Sequence, residues 1–281
     1  MASKLAGMRA TTRMPPSSEI PLTLLAVGWF LSCTFITCLT NAYLDRANPF
    51  VALPFDERRR LPDPLVGILH HVYRSLLLPR ELPDTLVHIA PMLMLLRVLL
   101  AGENAYLILR RLAYLVGVGY LVRAPFVVMT LLPNPLLDCR INPNPSLFLY
   151  ALEMMAQWKT SCGDVVFSGH TIMFMSASLV WIENPINWFS EQIKRLVEYS
   201  MITFSALSIL SLLGATYHYT LDCTLSILTM LFVWKFYHFV IRTHYFDDTY
   251  VGRLILWADG PGLRQGLMTP LPLLGRPSPM L

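Results

Sequence analysis

The sequence specifies an all-α, polytopic membrane protein with six transmembrane helices, and three observations lead there. Of 281 residues, 54% are hydrophobic and only 14% charged, where a soluble domain carries about 25% charged residues. The apolar residues gather into long runs, with a mean hydropathy of +0.50, and these runs reach the length that crosses a hydrocarbon core. Corners rich in Pro, Asn and charge separate them, with no internal repeat. The net charge of +4 is small and scattered, so no nucleic-acid partner is indicated.

Residues 1–20 read as a cytosolic N-terminal tail, in which Pro15-Pro16 and Ser17-Ser18 oppose regular structure. No cleavable signal peptide is expected, because the first apolar run is itself long enough to span. Residues 21–240 read as the six-helix transmembrane domain. Its first span covers residues 21–43, followed by a Pro-rich connection over 44–84. Within that connection the apolar segment 65–78 is broken by His70, His71 and Arg74; too short to span, it suits the membrane interface. Leu-Pro-Asp occurs twice there, at Leu61-Pro62-Asp63 and Leu82-Pro83-Asp84.

The second span, 85–101, carries Arg97, and the third, 112–132, carries Arg123. A loop over 133–161 is rich in Asn-Pro steps. The fourth span runs over 168–181, the fifth over 199–216, and the sixth from the Tyr217-His218 corner to residue 240. Residues 241–281 read as a cytosolic C-terminal tail. Six spans put both termini on one side, and Lys4, Arg9, Arg13, Arg110, Arg111, Lys194, Arg195, Arg242 and Arg253 then face the cytosol, as the positive-inside bias prefers. The first outer loop breaks the bias with Arg46, Arg58, Arg59, Arg60, Arg74 and Arg80. In either orientation, the start of the fourth span and the corner between the fifth and sixth share one membrane face.

Five Cys is an odd number. Cys33, Cys38 and Cys223 lie in apolar runs and read as packing residues. Cys139 and Cys162 flank one loop on the outer face, where a disulfide between them is one option.

Two stretches carry the chemistry. Cys162-Gly163-Asp164-Val165-Val166-Phe167-Ser168-Gly169-His170-Thr171 opens the fourth span, and His218-Tyr219-Thr220-Leu221-Asp222 opens the sixth. The i,i+4 spacing of His218 and Asp222 puts both on one helical face. There a carboxylate can fix the imidazole tautomer and stabilise the cation formed on attack at phosphorus. Ser168 and Gly169 permit close backbone approach, and the free amides of a helix start suit an anion. A phosphate held there would sit beside His170, which can protonate a leaving alkoxide and later deprotonate a hydroxyl. Taken singly, each motif has a plainer reading, a satisfied His-Asp pair or a helix cap; together on one face they point to phosphoryl chemistry at a lipid headgroup. Asp164 could orient His170 or cap the fourth helix, with capping favoured. His70, His71 and His88 read as interface or packing residues.

These motifs resemble the sphingomyelin synthase family, within the wider lipid phosphatase/phosphotransferase superfamily. The segment from Arg123 through Thr130-Leu131-Leu132-Pro133-Asn134-Pro135 to Cys139 is similar to the same family, as are the Leu-Pro-Asp steps. The resemblance implies six spans and a catalytic trio of His170, His218 and Asp222. It implies transfer of phosphocholine, phosphoethanolamine or phosphoinositol from a glycerophospholipid donor to a ceramide acceptor through a phosphohistidine, releasing diacylglycerol. Golgi or plasma membrane, with the site on the lumenal or extracellular face, is implied likewise. No cofactor or metal is expected, since no spaced Asp cluster for Mg²⁺ appears; a homo-oligomer is left open. Substrate-binding candidates are Asp164, Ser168, Gly169, Arg123 and Tyr219. The superfamily's phosphatases carry an Arg before the second His, whereas Gly214-Ala215-Thr216-Tyr217 precedes His218 here. Loss of that bidentate clamp disfavours a phosphomonoester substrate. The alternative is a lipid phosphate phosphatase using the same trio with water.

Overall fold

The structure is a computed structural model describing residues 16–243, 246 and 248–260. Among the described residues it is all-helical. The helices are α1 (Pro16–Ala47), α2 (Pro49–Ala52), α3 (Pro64–Ser75), α4 (Leu82–Leu99), α5 (Ala105–Met129), α6 (Leu147–Met155), α7 (Gly169–Glu183), α8 (Glu191–Gly214), α9 (Thr220–Arg242) and α10 (Tyr250–Asp259). Of these, α1, α4, α5, α8 and α9 are long and apolar enough to cross a membrane.

The expected fourth span is α7, and it is short: 15 residues, or about 22 Å at 1.5 Å per residue, against a core of about 30 Å. Its environment explains the length. Ile172, Phe174, Ala177 and Val180 are fully buried, and α4, α5, α8 and α9 pack around it. A helix enclosed by protein need not match the bilayer.

α3 is the amphipathic segment expected at the interface. Asp63 caps it, accepting from Val66 N at 3.1 Å, and Pro64 occupies the first turn, where a missing N–H costs nothing. Leu65, Ile68, Val72 and Leu76 form an exposed apolar stripe, while Tyr73 seats against Gly214, where a Cβ would lie 2.6 Å from its ring. α6 packs its Tyr150, Ala151 and Met154 on α1.

Three sequence boundaries shift. α1 begins at Pro16, inside the segment read as a tail; residues 1–15 lie outside the described set. α8 starts at Glu191, so the polar stretch over 187–198 is largely helical, with Ser190 as its cap. The C-terminal segment contains α10, and residues 261–281 lie outside the described set.

α10 docks because of one carboxylate. Asp259 is buried and accepts from Arg111 Nε at 2.6 Å and Nη2 at 2.8 Å, and from Tyr237 Oη at 2.9 Å. Arg110 donates to the Asp259 carbonyl and pairs with Glu19 at 2.6 Å. Thus Arg110 and Arg111, expected to face the cytosol, are buried within α5. Arg97 donates to the Asn184 carbonyl at the α7 C-terminus, where a cation meets the negative end of the helix dipole.

Removing one partner of a buried pair leaves an uncompensated charge, a loss of about 3–5 kcal/mol. Asp259→Ala is expected to lower the melting temperature of the detergent-solubilised protein well below that of the wild type. Leu254→Ala, on the exposed face of α10, is expected to leave it unchanged.

Candidate active site

At the other end of α7 the two histidines meet. Ser168 caps α7, its Oγ accepting from Thr171 N at 3.1 Å, which places His170 in the first turn. His218 sits in the corner after α8, which closes by bonds from Thr216 N to Leu213 O and Tyr217 N to Leu212 O. This αL closure is carried by a β-branched residue, Thr216, at φ +60°, and Phe167 has φ +69° one step before Ser168. Left-handed backbone at non-glycine residues persists only where the surroundings enforce it. The two imidazoles lie 6.0 Å apart between centroids, inclined at 65°.

Asp222 is fully buried. Its Oδ2 accepts from Tyr219 N at 2.9 Å and lies 3.7 Å from His218 Nδ1. The hydrogen-bond partner of that nitrogen is instead the Val165 carbonyl at 3.1 Å. This corrects the expected direct His-carboxylate bond: a backbone carbonyl sets the tautomer, with Nδ1–H donating and Nε2 left free. Asp222 supplies negative charge close by and caps α9.

The sequence missed Asp84 as a site residue. Its Oδ1 lies 3.4 Å from His170 Nε2, and Tyr217 Oη donates to its Oδ2 at 2.7 Å. Burial, then this carboxylate, pushes the Tyr217 hydroxyl above its ordinary range, keeping it a donor. The repeated Leu-Pro-Asp was the available signal, and both copies are used. Asp63 accepts from Thr220 N at 2.7 Å and Thr220 Oγ1 at 2.9 Å, pinning α3 to the start of α9.

The remaining candidates are bonded to the protein. Arg123 is buried and donates to Phe167 O at 2.6 Å, Asn41 Oδ1 at 3.2 Å, and Asp164 O and Oδ2 at 3.1 and 2.6 Å. Its guanidinium, expected to bind substrate, is instead engaged in a salt bridge with Asp164. Asp164 pairs with Arg123 and neither caps α7, as Ser168 does, nor reaches His170 by a hydrogen bond. Gly169 faces the Arg123 guanidinium, 3.8 Å from a built Cβ. Tyr219 is buried, with its hydroxyl donating to Pro133 O at 3.0 Å and accepting from Leu61 N at 2.9 Å. Cys139 and Cys162 are joined by a disulfide. Among the described residues no group of three or more His, Cys, Asp or Glu is arranged to hold a metal ion.

Fold and site define a multi-pass, all-helical membrane protein with two imidazoles and buried carboxylates meeting at one end of a central short helix. Residues 161–239 match the family model described as PAP2 superfamily C-terminal. Sphingomyelin synthase-related 2 of Caenorhabditis elegans is 25% identical over 176 residues, covering 58% of this chain and 52% of its own length. The chain thus spans about half the length of the curated relative it matches. Together these findings make the chain similar to the PAP2 superfamily over residues 161–239 and to a sphingomyelin synthase-related protein over 176 residues.

Partial burial pushes the Asp63 carboxyl up, but hydrogen bonds from Thr220 and Val66 outweigh it and hold the group below its ordinary value. A depressed folded-state pKa contributes stability above the unfolded value, which is lost as pH falls through the folded one. Hydrogen exchange at the Thr220 amide is therefore expected to speed up on acidification below about pH 4, beyond the intrinsic pH dependence of exchange. Asp63→Asn is expected to abolish that excess.

Proposed function

We propose that this protein transfers a phospho-headgroup from a glycerophospholipid to ceramide through a phosphohistidine on His218. The observation that carries it is the pair of imidazoles 6.0 Å apart, one with Nε2 free because Nδ1 donates to Val165 O. In the first step Nε2 attacks the donor phosphorus, the bond to the diacylglycerol oxygen breaks, and protonated His170 gives that oxygen its proton. In the second, neutral His170 takes the proton of the ceramide primary hydroxyl as its oxygen attacks, and the P–N bond breaks. Asp84 stands beside His170 to balance the imidazolium, and Asp222 does the same for His218. Lipid around the site would keep water from the intermediate.

Two further observations support the reading. Two cations close to the site are engaged, Arg123 with Asp164 and Arg80 with Asp138. That leaves little to clamp a phosphomonoester dianion and suits the single charge of a diester. The Cys139–Cys162 disulfide belongs to an oxidising compartment, in keeping with a lumenal or extracellular site in Golgi or plasma membrane.

The test is a panel of phosphatidylcholine, phosphatidylethanolamine and phosphatidylinositol donors with fluorescent ceramide and the purified protein, products separated by chromatography. At least one donor is expected to yield a ceramide phosphoester, and His218→Ala is expected to lose it by at least a thousandfold while still folded. Phosphate release from phosphatidate without ceramide product would instead support the phosphatase reading, and full turnover in His218→Ala would falsify the mechanism.

A further inference from the structure

The segment 161–168 is irregular and carries the Val165 carbonyl that orients His218, so whatever holds this segment sets the nucleophile. Its far end is held by Arg123. Its near end is held by a residue outside all the motifs: Asp45, in the last turn of α1. Asp45 is 3% exposed, and its Oδ1 accepts from Cys162 N and Gly163 N, each at 2.8 Å, and from Ser161 Oγ at 2.9 Å. Its Oδ2 accepts from Tyr150 Oη at 2.8 Å. Gly163 allows this approach: a Cβ there would lie 2.8 Å from the Leu44 carbonyl carbon and 3.0 Å from Asp45 N, backbone atoms that cannot swing away. Tyr150 is fully buried on α6; burial, then the Asp45 charge, raises its hydroxyl above the ordinary range, so it serves as a donor.

We infer that Asp45 is a positioning residue for the transfer reaction: with Tyr150 it fixes the 161–163 backbone, and through it the Val165 carbonyl that aligns His218. The inference rests on the proposed role of His218. Asp45 touches no reacting atom. Its effect belongs to the rate of attack on phosphorus, with substrate affinity left nearly alone, because displacement of a catalytic group by a fraction of an ångström is felt in the chemical step.

The test is single-turnover formation of phosphoenzyme by the full-length protein in detergent, using whichever radiolabelled donor of the panel it accepts, and phosphatidylcholine if none is accepted. Burst amplitude counts intact sites, and the rate constant reports alignment. Asp45→Asn, which keeps an acceptor at Oδ1 but loses the charge and turns the Tyr150 hydroxyl from donor to acceptor, is expected to lower the rate constant about tenfold at unchanged amplitude, with KM within threefold. Tyr150→Phe is expected to lower it about threefold and carries the test if the Asn variant does not fold. A fall in amplitude alone, or an unchanged rate constant in Tyr150→Phe, overturns the inference and leaves the role of His218 standing. Absence of phosphoenzyme in the wild type, or its persistence in His218→Ala, overturns the underlying mechanism and with it the inference.

Discussion

An irregular backbone inside a helical bundle must find its hydrogen-bond partners in side chains, since neither a helix nor water supplies them. Residues 161–168 are such a backbone. Asp45 takes two of the amides. Arg123 takes the carbonyls of Asp164 and Phe167; Asn134 takes that of Cys162 at 2.8 Å, and His218 that of Val165. Ser168 N–H donates to the Asp222 carbonyl. The donors and acceptors that satisfy this loop therefore come from α1, α5, the Asn-Pro loop, the corner between α8 and α9, and α9 itself. Folding the loop and assembling the site are one event, and a residue on any of these elements can disturb the others.

The shortness of α7 follows from the same arrangement. One end carries Ser168 and His170; the other runs into Glu183, which pairs with Lys235 and Arg242, and Asn184, which meets Arg97 and Arg111. Both ends are tied by polar contacts to neighbouring helices, so α7 is fixed along its axis without reaching lipid. A central helix held at both ends gives His170 a rigid base, whereas α3, with its apolar stripe facing outward, touches the site only through Asp63 and its contacts with the α8 terminus.

Much of this was legible from residue pattern alone. The apolar runs located the long helices, and the two His motifs located the face on which the imidazoles meet. What escaped was long-range and individually unremarkable. Asp84 sits 86 positions from His170 in a dipeptide context shared with Asp63, and no spacing rule connects them. The i,i+4 spacing of His218 and Asp222 suggested a direct bond, but at the third position of α9 the carboxylate is drawn to the Tyr219 amide, as caps are, and the imidazole turns to a carbonyl. Backbone acceptors have no sequence signature. α10 was missed because the polar part of its docking rests on Asp259, an acid next to a glycine in a short stretch near the end of the described chain.

The charge distribution bears on which phosphate ester such a site suits. Arg123 is spent on Asp164 and Arg80 on Asp138, while Asp84 and Asp222 lie within 3.4 and 3.7 Å of the imidazoles. Carboxylates thus stand beside both imidazoles, and in the proposed mechanism positive charge enters with the proton on His170 and with any cation the ligand brings. A dianionic monoester would meet repulsion here that a guanidinium clamp normally cancels. A zwitterionic diester carries its own compensating ammonium and meets less. The proposed movement of a headgroup is therefore easier to reconcile with these charges than the removal of a terminal phosphate.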